Sequence, residues 1–90
     1  MSQRNIQKIR SSIDTIDKKI INLLGLRKKQ VLKIAEYKNK KTIVDKKRIN
    51  QIMKRIKSEA KRNKIDYVLV KNFWNKLIQY SIKLERKIVK

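Results

Sequence analysis

The sequence has no cysteine, no histidine and no proline, and its one glycine is Gly25. Without cysteine, disulfides and thiolate zinc sites are excluded. Without histidine, catalysis by an imidazole base near neutral pH is excluded. Because glycine and proline mark most strand turns, their scarcity favours an all-α fold. No apolar run reaches the length of a membrane span and the N-terminus has no hydrophobic leader, so we expect a cytoplasmic protein without membrane contact.

Acidic residues are scarce as well. Seven Asp and Glu face 27 Lys and Arg, which gives a formal net charge of +20. Such a charge attracts phosphate and favours a nucleic-acid-binding protein. The cations are spread evenly, however, with 8, 10 and 9 in successive thirds of the chain, so there is no basic tail. Lys outnumbers Arg 20 to 7, as codons rich in A and T would produce, and composition alone leaves both interpretations open.

One long helix is predicted at the N-terminus, over residues of about 6–38. Apolar side chains recur there every three or four residues, as on the buried face of a helix; they are Ile6, Ile9, Ile13, Ile16, Ile20 and Leu23. Gly25 costs about 1 kcal/mol in a helix interior, but the spacing continues beyond it, so we predict an unbroken helix with close packing at Gly25. The stretch from Arg10 to Lys38 alone would span about 43 Å as a helix, which exceeds the diameter of a compact globule, about 30 Å. We therefore expect a second copy to cover it.

Arg27 occupies the next position of this apolar face. A buried guanidinium needs an anion, so the position predicts an anionic ligand. On a continuous helix, Arg27 and Lys38 would share a face about 16 Å apart, and they could hold two ends of one ligand. Arg10 would lie about 25 Å from Arg27 and roughly 100° round the helix. If Arg10 serves the same ligand, it must come from a second chain.

Two further helices are predicted, over residues of about 46–62 and 67–88. Asp45 and Asp66 stand where N-caps are expected. Arg48 lies near the N-terminus of the second helix, where the free amides favour an anion. The predicted buried stripe of the third helix consists of Val70, Phe73, Trp74, Leu77, Ser81, Leu84 and Ile88.

Glu85 lies beside that stripe, one turn after Ser81. The Ser81 hydroxyl can bond the carbonyl four residues earlier. A carboxylate has no such local partner, so we expect Glu85 to pair with an internal lysine or with a ligand.

Four segments, in this order and spacing, resemble the all-helical (type II) chorismate mutases; they are RSSIDTIDKKIINLLGLR, IAEYK, VDKKR and YSIKLE. The resemblance implies one domain over residues 1–90, a three-helix chain in an intertwined homodimer whose long first helix crosses between subunits. It also implies the Claisen rearrangement of chorismate to prephenate in phenylalanine and tyrosine synthesis, with no cofactor or metal. A unimolecular pericyclic reaction needs no nucleophile or base, only a shaping cage and cations near the developing charge.

The resemblance also implies a role for each matching residue. Lys38 and Glu85 would bond the ether oxygen of the substrate, Lys38 also reaching a carboxylate. The other substrate-binding positions would hold the two carboxylates of this small dianion; they are Arg10 from the second subunit, Arg27, the backbone amide of Asp45, Arg48 and the hydroxyl of Ser81.

Two positions depart from the pattern. Ile49 stands where many relatives carry a glutamate that meets the substrate ring hydroxyl, and the related isochorismate pyruvate lyases also lack that glutamate. Lyase activity is therefore the alternative, although Ser81 favours a mutase. Glu85 stands where some members have glutamine.

A nucleic-acid-binding helical dimer is disfavoured, because phosphate contacts belong on an exposed face and Arg27 lies on an apolar one.

Overall fold

The computed structural model describes residues 2–89, which form three α-helices and no strand. The helices are α1 (Gln3–Ala35), α2 (Lys46–Arg62) and α3 (Tyr67–Ile88), with a short 3-10 helix at Lys40–Thr42. The predicted all-α class is confirmed. None of these helices is long and apolar enough for a membrane crossing. The chain divides into an N-terminal unit, Met1–Gln30, and a C-terminal unit, Val31–Lys90.

Helix α1 runs without a break through Gly25, as predicted, but its ends differ from the prediction by three residues each. It begins earlier because Ser2 caps it: the Asn5 amide donates to the Ser2 hydroxyl at 3.3 Å. It ends earlier because the amides that follow Ala35 bond carbonyls three residues back instead of four. Such bonds tighten the last turn and stop an α-helix. Lys38 therefore lies beyond α1, and the helical face predicted for Arg27 and Lys38 together is wrong.

The apolar face of the N-terminal unit is uncovered. Its large side chains are between 45% and 66% exposed; they are Ile9, Ile13, Ile16, Ile20, Ile21, Leu23 and Leu26. Burying a side chain of this size is worth about 1.5–3 kcal/mol. A contiguous apolar face that stays exposed on a single chain is typical of an interaction surface.

Gly25 packs against no other part of the single chain, so close packing at Gly25 stays a prediction for contact with a second copy. A Cβ built on Gly25 meets no other group within 4 Å. Five residues after Ile20, Gly25 lies roughly 140° round the helix from that residue. It therefore lies at the border of the apolar face, about 40° from Ile21.

In the C-terminal unit, α2 and α3 pack against each other. The buried core contains Ala35, Ile43, Ile78, Ile82 and Val89, and the residues packed against it are Ile49, Ile52, Met53 and Trp74. The last residue of α1 and the segment before α2 thus complete the core that the two helices form.

The stripe that the sequence predicts as the buried face of helix α3 is wrong: each of its seven residues is half-buried or exposed. Ile78, Ile82 and Glu85 are its buried residues, whereas Phe73 and Ile88 are exposed. The apolar residues of α3 cover a wide arc, and α2 covers only one side of it. The other side is left open, like the apolar face of α1.

Aspartates cap both helices of this unit, as predicted. The Asp45 carboxylate accepts from the Arg48 amide at 3.0 Å, and Asp66 accepts from the Val68 amide at 3.0 Å. Between α2 and α3 the chain turns at Lys64, whose φ is 55°. This left-handed conformation is uncommon for a residue with a Cβ, but it fits a single turn residue after a helix.

Gly25→Ala should stabilise the protein, because alanine gains about 1 kcal/mol over glycine in a helix interior and the new methyl meets nothing. Denaturant unfolding should show a higher midpoint with an unchanged slope. A lower midpoint would mean that Gly25 packs closely against another molecule, since the chain itself offers no contact.

Candidate active site

The centre of the candidate site is an ion pair between Lys38 and Glu85. The Lys38 Nζ atom lies 3.2 Å from Glu85 Oε1 and 3.3 Å from Oε2, and it donates to both. Glu85 is only 5% exposed, and Lys38 is half-buried. Of the two partners that the sequence left open for Glu85, the structure shows the internal lysine.

The backbone on each side explains why these groups meet. Glu85 lies on the buried face of α3, beside Ile82. Lys38 lies in the segment after α1, three residues beyond buried Ala35. Because Ala35 and Ile82 belong to one core cluster, packing of that core brings the lysine over the carboxylate.

A short 3-10 helix fixes the segment that follows Lys38. The Asn39 side chain accepts from the Lys41 amide at 3.0 Å, and the Asn39 amide donates to the Thr42 hydroxyl at 3.1 Å. The sequence predicts no helix between residues 38 and 46, so this reciprocal cap is not expected from it. The pattern of asparagine followed three residues later by threonine could have indicated it.

Ser81 is half-buried, one turn before Glu85 on α3. Its hydroxyl donates to the Leu77 carbonyl at 3.1 Å, which is the local bond that the sequence predicts. The oxygen lone pairs of a hydroxyl also accept hydrogen bonds, and the proton can rotate to another acceptor. Ser81 therefore lies one helical turn from Glu85, the residue that pairs with Lys38.

Asp45 and Arg48 lie together at the start of α2, and both are exposed. The Asp45 carboxylate is engaged as the N-cap. The Asp45 amide, in contrast, has no acceptor among residues 2–89. An open amide, the helix N-terminus and an arginine are the features that favour a carboxylate ligand.

The two remaining predicted residues lie in the N-terminal unit, on α1. Arg10 is exposed, and Arg27 is half-buried. Both are on the helix that carries the uncovered apolar face.

Ile49 is one of the two positions that depart from the family pattern. It is half-buried and packs against the core. The position therefore offers no polar group to a ligand. Within the described residues, no three acidic side chains cluster as metal ligands would.

Comparison with known proteins supports the family resemblance. The family model described as chorismate mutase type II matches residues 9–86, a range that includes all the predicted site residues. The chain is 31% identical over 90 residues to the bifunctional chorismate mutase/prephenate dehydratase of Buchnera aphidicola subsp. Schizaphis graminum (strain Sg). That match covers 98% of this chain and 23% of the relative, so the chain spans about a quarter of the relative's length. No solved structure matches the chain significantly. Because the family model spans most of the sequence, the chain belongs to the chorismate mutase type II family.

Proposed function

We propose that this chain is a chorismate mutase, an isomerase that converts chorismate to prephenate in the synthesis of phenylalanine and tyrosine. The observation that carries the proposal is the Lys38–Glu85 pair beside Ser81, in a chain whose family is established. A cation and an acid held at one buried point fit a reaction that builds up charge on one oxygen.

The rearrangement breaks a C–O bond while a C–C bond forms, and the ether oxygen gains negative charge in the transition state. An ammonium has three donors, so Lys38 can keep one on Glu85 and direct another at that oxygen. A protonated Glu85 would supply the second donor. Hydrogen bonds that involve a charged group are worth about 1.5–3 kcal/mol, and each 1.36 kcal/mol is about tenfold in rate. Two such bonds would supply about 3–6 kcal/mol, which corresponds to an acceleration of about 10²–10⁴-fold.

The carboxylates of the dianionic substrate need partners that hold them without taking part in bond changes. Arg27 and Arg48 present planar forks that match a carboxylate, and the open amide of Asp45 adds a donor. Ser81 would donate its hydroxyl. Fixing both ends of the substrate favours the compact conformer in which the reacting carbons meet.

A second copy of the chain completes the proposed enzyme. The uncovered face of α1 and the open side of α3 are large apolar surfaces, and a homodimer would bury them. Arg10, exposed on α1, would then enter the site of the other subunit. The cytoplasmic location stays a prediction from the sequence.

The test of the proposed activity is the identity of the product. With chorismate, the purified protein should consume substrate and form prephenate, and Arg27→Ala should be slower by orders of magnitude. Arg55→Ala is the matched control, because Arg55 is an exposed arginine of α2 outside the proposed site. Release of pyruvate from isochorismate, with no prephenate from chorismate, would establish the lyase instead. Lyase activity stays the alternative because the apolar side chain of Ile49 cannot form a hydrogen bond with the substrate hydroxyl.

A mixed-dimer experiment tests the sharing of Arg10. Arg10→Ala and Arg27→Ala chains should each be nearly inactive alone. After equal mixing and subunit exchange, about half of the dimers should be mixed, each with one intact site, which restores about a quarter of wild-type activity. Arg10→Ala chains put through the same exchange alone should regain nothing. If the mixture also regains nothing while exchange is verified, Arg10 does not cross between subunits.

The pH dependence tests the role of Glu85. A carboxylate cannot donate to the ether oxygen, so Glu85 must carry a proton in the productive complex. The rate should be highest at low pH and should fall as rising pH removes that proton. Glu85→Gln keeps a donor at every pH and keeps an acceptor for Lys38, so its profile should be flatter and should exceed wild type at alkaline pH. Superimposable profiles would remove Glu85 from the proposed chemistry. Circular dichroism across the range serves as the control for unfolding.

A further inference from the structure

A surface cavity lies on the side of the C-terminal unit formed by the second half of α2 and the start of α3. Its volume is about 450 Å³, within the range of small-molecule sites. The lining residues are Lys54, Lys57, Ser58, Lys61, Ile65 and Tyr67. None of them is among the residues proposed to bind chorismate.

Three ammonium groups line this cavity, and no acid neutralises them. Lys54, Lys57 and Lys61 follow each other along one face of α2 within about 10 Å. None of the three has an acidic partner among residues 2–89, and the nearby Glu59 is paired with Arg62. Like charges held this close repel one another, and a bound anion would relieve that repulsion.

One of these lysines is held in place by an aromatic ring. The Lys57 Nζ atom lies 5.4 Å from the centre of the Tyr67 ring, which is a cation–π contact. Tyr67 is half-buried at the start of α3. The contact keeps one cation at the cavity instead of leaving it free in solvent.

Beside the lysines, the lining consists of the Ser58 hydroxyl, the Ile65 side chain and Tyr67, whose ring is apolar and whose phenol oxygen is polar. Ile65 and the ring of Tyr67 supply the apolar part of the lining, here called the apolar floor, and they offer a flat ring a surface to contact. Sites of this composition bind ligands that combine an apolar body with a few charged groups. A simple inorganic anion would leave the floor unused.

We propose that this cavity binds a nucleoside di- or triphosphate, with the phosphate chain on the three lysines and the base against Ile65 and Tyr67. The positive charge of the three lysines favours a phosphate ligand over a carboxylate ligand. One carboxylate carries a single charge, whereas a phosphate monoester alone carries about −1.5 to −2, so a phosphate chain matches three lysines. Lysine also binds phosphate as a compact point charge.

The other explanation for these lysines is structural. Cations in the last turns of a helix stabilise it through the helix dipole, and Lys57 and Lys61 lie near the end of α2. That role requires no ligand, and it predicts that neutralising the lysines lowers stability without changing nucleotide binding. The two explanations therefore predict different effects of neutralising the lysines on nucleotide binding.

Binding of ATP to the full chain tests the proposal, by calorimetry at physiological ionic strength. We expect saturable binding of one ATP per chain. The triple variant Lys54→Gln, Lys57→Gln, Lys61→Gln should bind at least tenfold more weakly. The matched control is Lys76→Gln, Lys83→Gln, Lys87→Gln, which removes the same charge from exposed positions of α3 and should change affinity less than twofold. Melting temperatures of both triple variants show that each is folded.

Four results would overturn the proposal. Equal losses in the two triple variants would mean that ATP responds only to the net charge of the protein. Equal affinity for inorganic triphosphate and ATP would mean that the apolar floor binds no base. Unchanged ATP binding in the lysine variant, with a lowered melting temperature, would assign the lysines to the helix dipole. Tighter binding of single-stranded RNA than of ATP, lost in the same variant, would replace the nucleotide with a nucleic acid.

Discussion

The ion pair between Lys38 and Glu85 joins two segments that are 47 positions apart in the chain. Glu85 is a buried charge of the C-terminal unit, and both of its oxygens accept from the same ammonium. Removing one partner of a buried pair is expected to cost about 3–5 kcal/mol, because the other charge is left without compensation. The pair therefore fixes the end of the α1 segment to α3, and it sets the geometry on which the proposed chemistry depends.

Much of the helical architecture could be predicted from local patterns. Asp45 and Asp66 marked the starts of α2 and α3 because a short acidic side chain before an apolar-periodic stretch can bond the first free amides. The end of α1 was misjudged, since the residues after Ala35 are as polar and helix-compatible as those before it. The change to bonds three residues back depends on Ala35 and Ile43 being packed into the core, which no local pattern reports.

The same limit applies to the site. Sequence reasoning identified Glu85 as a residue that needs a partner, but it could not choose between a lysine and a ligand. That choice depends on the packing that brings Lys38 over α3. The buried side of α3 was misjudged because its apolar arc is wider than one neighbouring helix can cover. The roles of Arg10, Arg48 and Ser81 came from family resemblance, since a single exposed or self-bonded residue carries little information about a ligand.

The uncovered apolar face of α1 affects how the protein reaches its folded state. In the N-terminal unit the helix is stabilised by its own backbone bonds, and isolated helices are marginal in water. Under the proposed dimer, the free energy that holds this helix comes from association, so the folded fraction rises with protein concentration. Assembly then becomes a second-order step, and a newly made chain exposes its apolar face until it binds a second chain. The amount of protein in the cell, and not the sequence alone, would set how much of it is folded.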